Sequence, residues 1–135
     1  MSNIRAVVAG HADFAAGAVS AVVQITGRDD VFATLSNRDM SAQDVERALR
    51  DHVANHGVDV IFTDLPAGSC TMAARRLQRE MPGLTVVTGA NLATLLDFVF
   101  ADEVPPAEAA RQAVDRGRAS LAVTGGGPVG GTRGA

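Results

Sequence analysis

Short apolar runs alternate with helical stripes four times in succession, and that alternation limits the chain to very few folds. Ile4 to Ala9 is a nearly continuous run of Ile, Ala and Val, interrupted by Arg5 and closed by Gly10, as expected of a strand buried on both faces. From Phe14 to Thr26 the apolar side chains fall at 14, 18, 21, 22 and 25, the spacing of one helix face, and Gly27 ends the stripe. Val31 to Leu35 reads as a second strand. Ser41 with Asp44 three positions on predicts a capped helix start, followed by Val45, Leu49 and Val53 up to Asn55-His56-Gly57. Val58 to Thr63 is a third strand, Thr71 to Met81 a third helix stopped by Pro82-Gly83, and Leu84 to Thr88 a fourth strand. Asn91 is placed to cap a fourth helix carrying Leu92, Leu95, Leu96, Val99 and Phe100 on one face. A fifth, alanine-rich helix starts at Pro105-Pro106 and runs to about Gly117, and Ala119 to Val123 is a short candidate strand.

Strand alternating with helix predicts an α/β fold: a single-domain three-layer sandwich with a mainly parallel, doubly wound sheet. The simplest strand order is 2-1-3-4, with the C-terminal strand at the edge. The domain then spans residues 1–123. Residues 124–135 hold six glycines and a proline and read as a flexible tail, since they bury too little apolar surface to offset their ordering entropy. In such sheets ligands bind beyond the carboxyl ends of the strands where the strand order reverses, here between the first and third strands. That rule selects two loops, Gly10 to Asp13 and Asp64 to Ser69.

Composition removes several chemistries from those loops. The 135 residues include twelve basic side chains, all arginine, and neither tryptophan nor tyrosine. Without lysine there is no P-loop, Schiff-base or receiver-type lysine, and without those rings a flavin lacks its usual aromatic neighbours. No cofactor is expected. A net charge of −3 argues against nucleic acid or an anionic membrane surface as partner. One cysteine, Cys70, excludes an intramolecular disulfide and a cysteine-built metal site. The N-terminal residues lack a secretion signal, and no run approaches the roughly 18 apolar residues of a membrane span, so a cytoplasmic location without membrane insertion is expected.

His11 and Asp64 come first after their strands in the two selected loops and are expected to face each other. A carboxylate that orients one imidazole nitrogen leaves the other outward as a nucleophile. With no metal, lysine or second base at hand, phosphorus is the natural electrophile, because phosphoryl transfer needs chiefly positioning and charge stabilisation. The N-termini of the first and third helices offer N–H donors for the anion, and the Ser69 hydroxyl one more. A plainer reading stands beside this one: His11 closes a strand, while Asp64 and Ser69 cap a helix. Elsewhere, His52 and His56 have the helical spacing of two metal ligands, but no third ligand is evident and no metal site is expected. Arg75, Arg76 and Arg79 line the third helix, as a solvated face or a docking edge. Cys70 reads as core rather than nucleophile.

Three segments together resemble the mannose-family enzyme IIA domains of the bacterial phosphoenolpyruvate-dependent sugar phosphotransferase system. They are Gly10-His11-Ala12-Asp13-Phe14-Ala15-Ala16-Gly17, Thr63-Asp64-Leu65-Pro66-Ala67-Gly68-Ser69 and Gly89-Ala90-Asn91-Leu92-Ala93-Thr94-Leu95-Leu96. The likeness spans roughly residues 4–123. It implies a carrier whose histidine, here His11, accepts a phosphoryl group from phosphorylated HPr and passes it to a IIB domain on a separate chain for sugar uptake. Asp64 takes the place of the carboxylate partner and Ser69 that of a phosphoryl-binding serine. The family's typical homodimer, in which edge strands are exchanged, is implied as well. Ala12, Pro66-Ala67, Cys70 and Ala93 depart from the family pattern, which usually has glycine or proline there. Two other roles fit the same resemblance: the phosphoryl-donor subunit of a phosphotransferase-dependent dihydroxyacetone kinase, and a regulatory module that transfers no phosphate.

Overall fold

Ala6–Gly10, the first strand (β1), pairs in parallel with a neighbour on each side, so it lies inside the sheet and needs apolar side chains on both faces. A computed structural model of the chain describes residues 3–128. Chain order continues with α1 (Phe14–Thr26), β2 (Phe32–Ser36), α2 (Ala42–His56), β3 (Val60–Thr63), α3 (Ser69–Glu80), β4 (Thr85–Val87), α4 (Leu92–Phe100) and α5 (Pro106–Ala119). The four strands are all parallel in the order β2-β1-β3-β4, the doubly wound arrangement expected from the alternation.

The unbroken apolar runs split by parity between two cores. Ala6, Val8, Val60 and Phe62 face one side, where Val22 of α1, Leu95 and Phe98 of α4 and Ala109, Ala110 and Ala113 of α5 cover them. Val7, Ala9 and Ile61 face the other, against Val45, Leu49 and Val53 of α2 and Ala73 and Leu77 of α3. Phe62 sits edge-on to Phe98 at 5.1 Å and to Phe32 at 6.0 Å, filling the α4 side with three rings. Alanines on α5 let that helix approach closely, and at Gly117 an added Cβ would run into Thr94 of α4.

Several expected boundaries move, and two of the changes have a visible cause. The first strand starts at Ala6 rather than Ile4, because Arg5 turns away to donate to Val104 O at 2.6 Å and Ala101 O at 3.2 Å, closing the end of α4. The candidate strand Ala119 to Val123 is not a strand among the described residues: α5 continues to Ala119, and Ser120 stops it by donating from Oγ to Gly117 O at 2.7 Å. Arg116 and Arg118 in the last turn favour the extended helix. Leu121 and Val123 thus pair with no strand among the described residues, and the two side chains are 85% and 92% exposed. Residues 124–128 are irregular and exposed, while the rest of the expected tail, 129–135, lies outside the described residues.

Candidate active site

Parallel pairing of β1 with β3 sets Ala9 opposite Thr63, so the residues just past both strand ends meet above the sheet. One oxygen of Asp64, Oδ2, accepts from the His11 backbone N–H at 2.8 Å and lies 2.8 Å from His11 Nδ1. The carboxylate is nearly enclosed, with its side chain 9% exposed, whereas the imidazole is 47% exposed. Burial by itself would push the Asp64 carboxyl up, but the hydrogen bonds and charge of His11 outweigh it and hold the group below its ordinary 3.8. An ionised Asp64 only accepts, so the proton belongs on Nδ1 and the lone pair on Nε2.

Three backbone features let this pair form. Gly10 has no room for a side chain: a Cβ there would lie 2.8 Å from Phe14 Cδ2 and 3.0 Å from Asp64 Oδ2. Ala12 holds φ of +48°, a left-handed turn that costs a non-glycine residue about 1 kcal/mol and that carries the chain from His11 into α1. Gly68, with φ of +117°, lies against the outer end of the ring, where an added Cβ would be 3.2 Å from His11 Cε1 and 3.8 Å from Nε2. Gly68 is also the residue before α3, and no side chain caps that helix. The free nitrogen of His11 therefore borders a helix start with uncommitted N–H donors, the arrangement that suits an anion.

Ser69, first residue of α3, accepts from Asn37 Nδ2 at 2.8 Å. Asn37 comes from the loop after β2 and is fixed by its own N–H, which donates to Gly10 O at 3.1 Å. Sequence reasoning missed it, since the reversal rule looks only between β1 and β3. The available signal was the pairing of β2 with β1, which puts Ser36 beside Gly10 and Asn37 one step beyond, at the level of His11. The loop from Asp64 to Ser69 is braced from below, where Thr71 Oγ1 bonds Thr63 Oγ1 at 2.6 Å and Leu65 O at 2.5 Å. At the rim Arg38 pairs with Asp13 at 3.1 Å.

The remaining candidates separate from the site. Cys70 is buried in the α2–α3 core, and burial, with the Asp64 charge second, pushes its thiol up to about 11, so it stays protonated. Arg76 bonds Glu46 at 2.9 Å, and Arg50 reaches Glu46 at 3.3 Å and Glu80 at 2.8 Å, a network that joins α3 to α2. Arg75 and Arg79 are exposed, whereas Arg76 is held by Glu46. The rings of His52 and His56 stack at 5.8 Å, and among the described residues no group of three or more His, Cys, Asp or Glu side chains is arranged to hold a metal ion. No helix among them is long and apolar enough to cross a membrane.

A parallel sheet in the order 2-1-3-4 with a carboxylate-anchored histidine at its reversal places that pair where doubly wound α/β domains bind their ligands. Residues 5–115 match the family described as EIIA-man, PTS system fructose IIA component, and the chain belongs to that family. Solved structures agree on the fold. The EIIA component of a phosphotransferase system from Streptococcus agalactiae superposes with a TM-score of 0.78 at 20% identity, covering 89% of this chain and 96% of that one. A mannose/sorbose-specific IIA subunit from Enterococcus faecalis gives 0.76 at 20% identity, covering 93% and 96%. A sigma-54 interaction domain protein from Enterococcus faecalis gives 0.68 at 18%, covering 88% and 93%. No curated protein matches the sequence significantly. The chain is a IIA component of the phosphotransferase system, with a phosphotransfer role in the broad sense.

Proposed function

We propose that this IIA component is a phosphohistidine carrier that takes a phosphoryl group from phosphorylated HPr on His11 Nε2 and passes it to a IIB domain on a separate chain. One observation supports this most strongly: Asp64 anchors Nδ1 at 2.8 Å, while the opposite side of the ring lies against Gly68 at the uncapped start of α3. In the transfer the Nε2 lone pair forms a bond to phosphorus as the bond from phosphorus to the donor breaks, and that electron pair leaves with the donor. No proton has to leave Nε2. The ring becomes cationic and is balanced by the carboxylate behind it, while α3 N–H groups and the Ser69 hydroxyl meet the phosphoryl oxygens. Delivery to IIB runs the same step in reverse toward a new acceptor, in the cytoplasm where HPr circulates.

The working form is a homodimer. Among the described residues the outer edge of β4 has no strand beside it, and it borders a groove of about 520 Å³ lined by Thr85, Val87, Arg111, Val114 and Arg118. Exposed Leu121 and Val123 supply the missing edge strand for a second copy. Sedimentation at micromolar concentration is expected to give twice the chain mass, and a single monomer mass would remove the dimer. For the carrier, incubation with phosphoenolpyruvate, enzyme I and HPr is expected to add one acid-labile phosphoryl group, lost in His11→Ala. Undiminished labelling of His11→Ala would sink the assignment.

A further inference from the structure

Ser69 is recruited as a phosphoryl ligand only if its hydroxyl proton points toward the anion, and within α3 the neighbouring Cys70 thiol competes for that proton. A serine at a helix start is free to turn its O–H toward solvent or a backbone carbonyl. Here the hydroxyl oxygen accepts from Asn37 Nδ2 at 2.8 Å. An oxygen engaged as acceptor on that side presents its proton elsewhere, and a hydroxyl that accepts one hydrogen bond donates the next one more strongly. Asn37 is itself held, because its backbone N–H donates to Gly10 O at 3.1 Å, the residue immediately before His11. Three loops, one after each of β1, β2 and β3, are thus tied together around the ring.

We propose that Asn37 is a positioning residue for phosphoryl transfer, holding the Ser69 hydroxyl as a donor toward the phosphoryl group on His11. The proposal rests on the phosphohistidine reading and adds to it a residue in the β2–α2 loop. Asn37 acts through Ser69 rather than on phosphorus. Its amide chemistry matters: aspartate at the same place would accept the Ser69 proton, turning the hydroxyl away from the anion and adding a negative charge beside it.

The test is a rapid-quench measurement of phosphoryl uptake from phosphorylated HPr by wild type, Asn37→Ala, Asn37→Asp, Ser69→Ala and the Asn37→Ala/Ser69→Ala pair. Each variant is checked by its melting temperature and by the ¹⁵N signature of the unphosphorylated His11 ring. Asn37→Ala is expected to slow uptake about 3- to 10-fold, the effect of weakening one hydrogen bond to a charged group, and Asn37→Asp is expected to slow it further. In the Ser69→Ala background, Asn37→Ala is expected to change nothing more, because its route of action is gone. The ring signature should stay that of wild type throughout. Wild-type rates in Asn37→Asp, or losses from Asn37→Ala and Ser69→Ala that multiply in the pair, would overturn the proposal. Wild type that takes no label at all would instead overturn the carrier reading on which it stands.

Discussion

Two helices of this domain, α2 and α4, close their own starts with side chains, whereas α1, α3 and α5 do not, and the open start of α3 lies against the His11 ring. At α2, Ser41 Oγ accepts from the Asp44 N–H at 3.1 Å while Asp44 Oδ2 accepts from the Ser41 N–H at 3.1 Å, a complete capping box. At α4, Asn91 Oδ1 accepts from the Thr94 N–H at 2.8 Å and Asn91 Nδ2 donates to Gly117 O at 3.1 Å. The α3 start has Gly68, which offers no side chain, and Ser69, whose oxygen is turned to Asn37. An open helix start forgoes about 1 kcal/mol of capping. In the proposed carrier, the α2 and α4 ends serve stability and the α3 end keeps its donors for an anion beside His11.

Closing α3 in the same manner is the strongest way to break that contrast. Gly68→Asp puts a carboxylate on the α3 start against His11, and Gly68→Ala shares its strained φ of +117° and its Cβ near the ring without the charge. Both are expected to slow phosphoryl uptake, with Gly68→Asp reduced by more than about a further tenfold by anion repulsion and competition for the donors. Equal rates in the two would mean that α3 contributes no anion site.

Asp64→Asn comes next in size. An amide can present its NH₂ to Nδ1 and favour the wrong tautomer, so transfer is expected to fall on the order of 10²-fold with the fold retained. The same pair sets a pH signature. Because the folded carboxyl titrates below its ordinary 3.8, the pairing contributes stability that is fully present above that value and is lost as pH falls through the folded one. The melting-temperature difference between wild type and Asp64→Asn is therefore expected to shrink below about pH 4. A difference independent of pH would show that the carboxylate charge contributes nothing to the fold. Asn91→Ala and Ser41→Ala give the smallest effects on function: about 1 kcal/mol of stability each by denaturant unfolding, with uptake unchanged. Slowed uptake in either would erase the division of labour between the helix starts.

The closed helices were the easily read part of the sequence, because a cap is a local device: Ser41 with Asp44, and Asn91 ahead of a leucine-rich stripe, announce themselves within four residues. The strand order followed from the β–α alternation, and the strand order brought His11 to Asp64. Residues that act across loops were harder to see. Asn37 meets Ser69 only because β2 pairs with β1, and no local pattern distinguishes it from any polar residue after a strand. Gly68 carries its meaning through φ of +117° and the nearness of a ring 57 positions away in sequence, visible only in three dimensions. The misread segment, Ala119 to Val123, has the right apolar alternation, but a strand needs pairing as well as a pattern: Ala119 is taken into the last turn of α5, and residues 121–123 lie exposed and in no strand.

The central claim is that Asp64 holds Nδ1 and leaves Nε2 to carry phosphorus. Its most direct test is the NMR spectrum of protein phosphorylated through HPr, with ¹⁵N-labelled histidine and ³¹P detection. The account predicts one phosphoryl group with coupling to His11 Nε2, and an Nδ1–H proton that persists and shifts as the ring becomes charged. Phosphorus bonded to Nδ1, or to any residue other than His11, would contradict it.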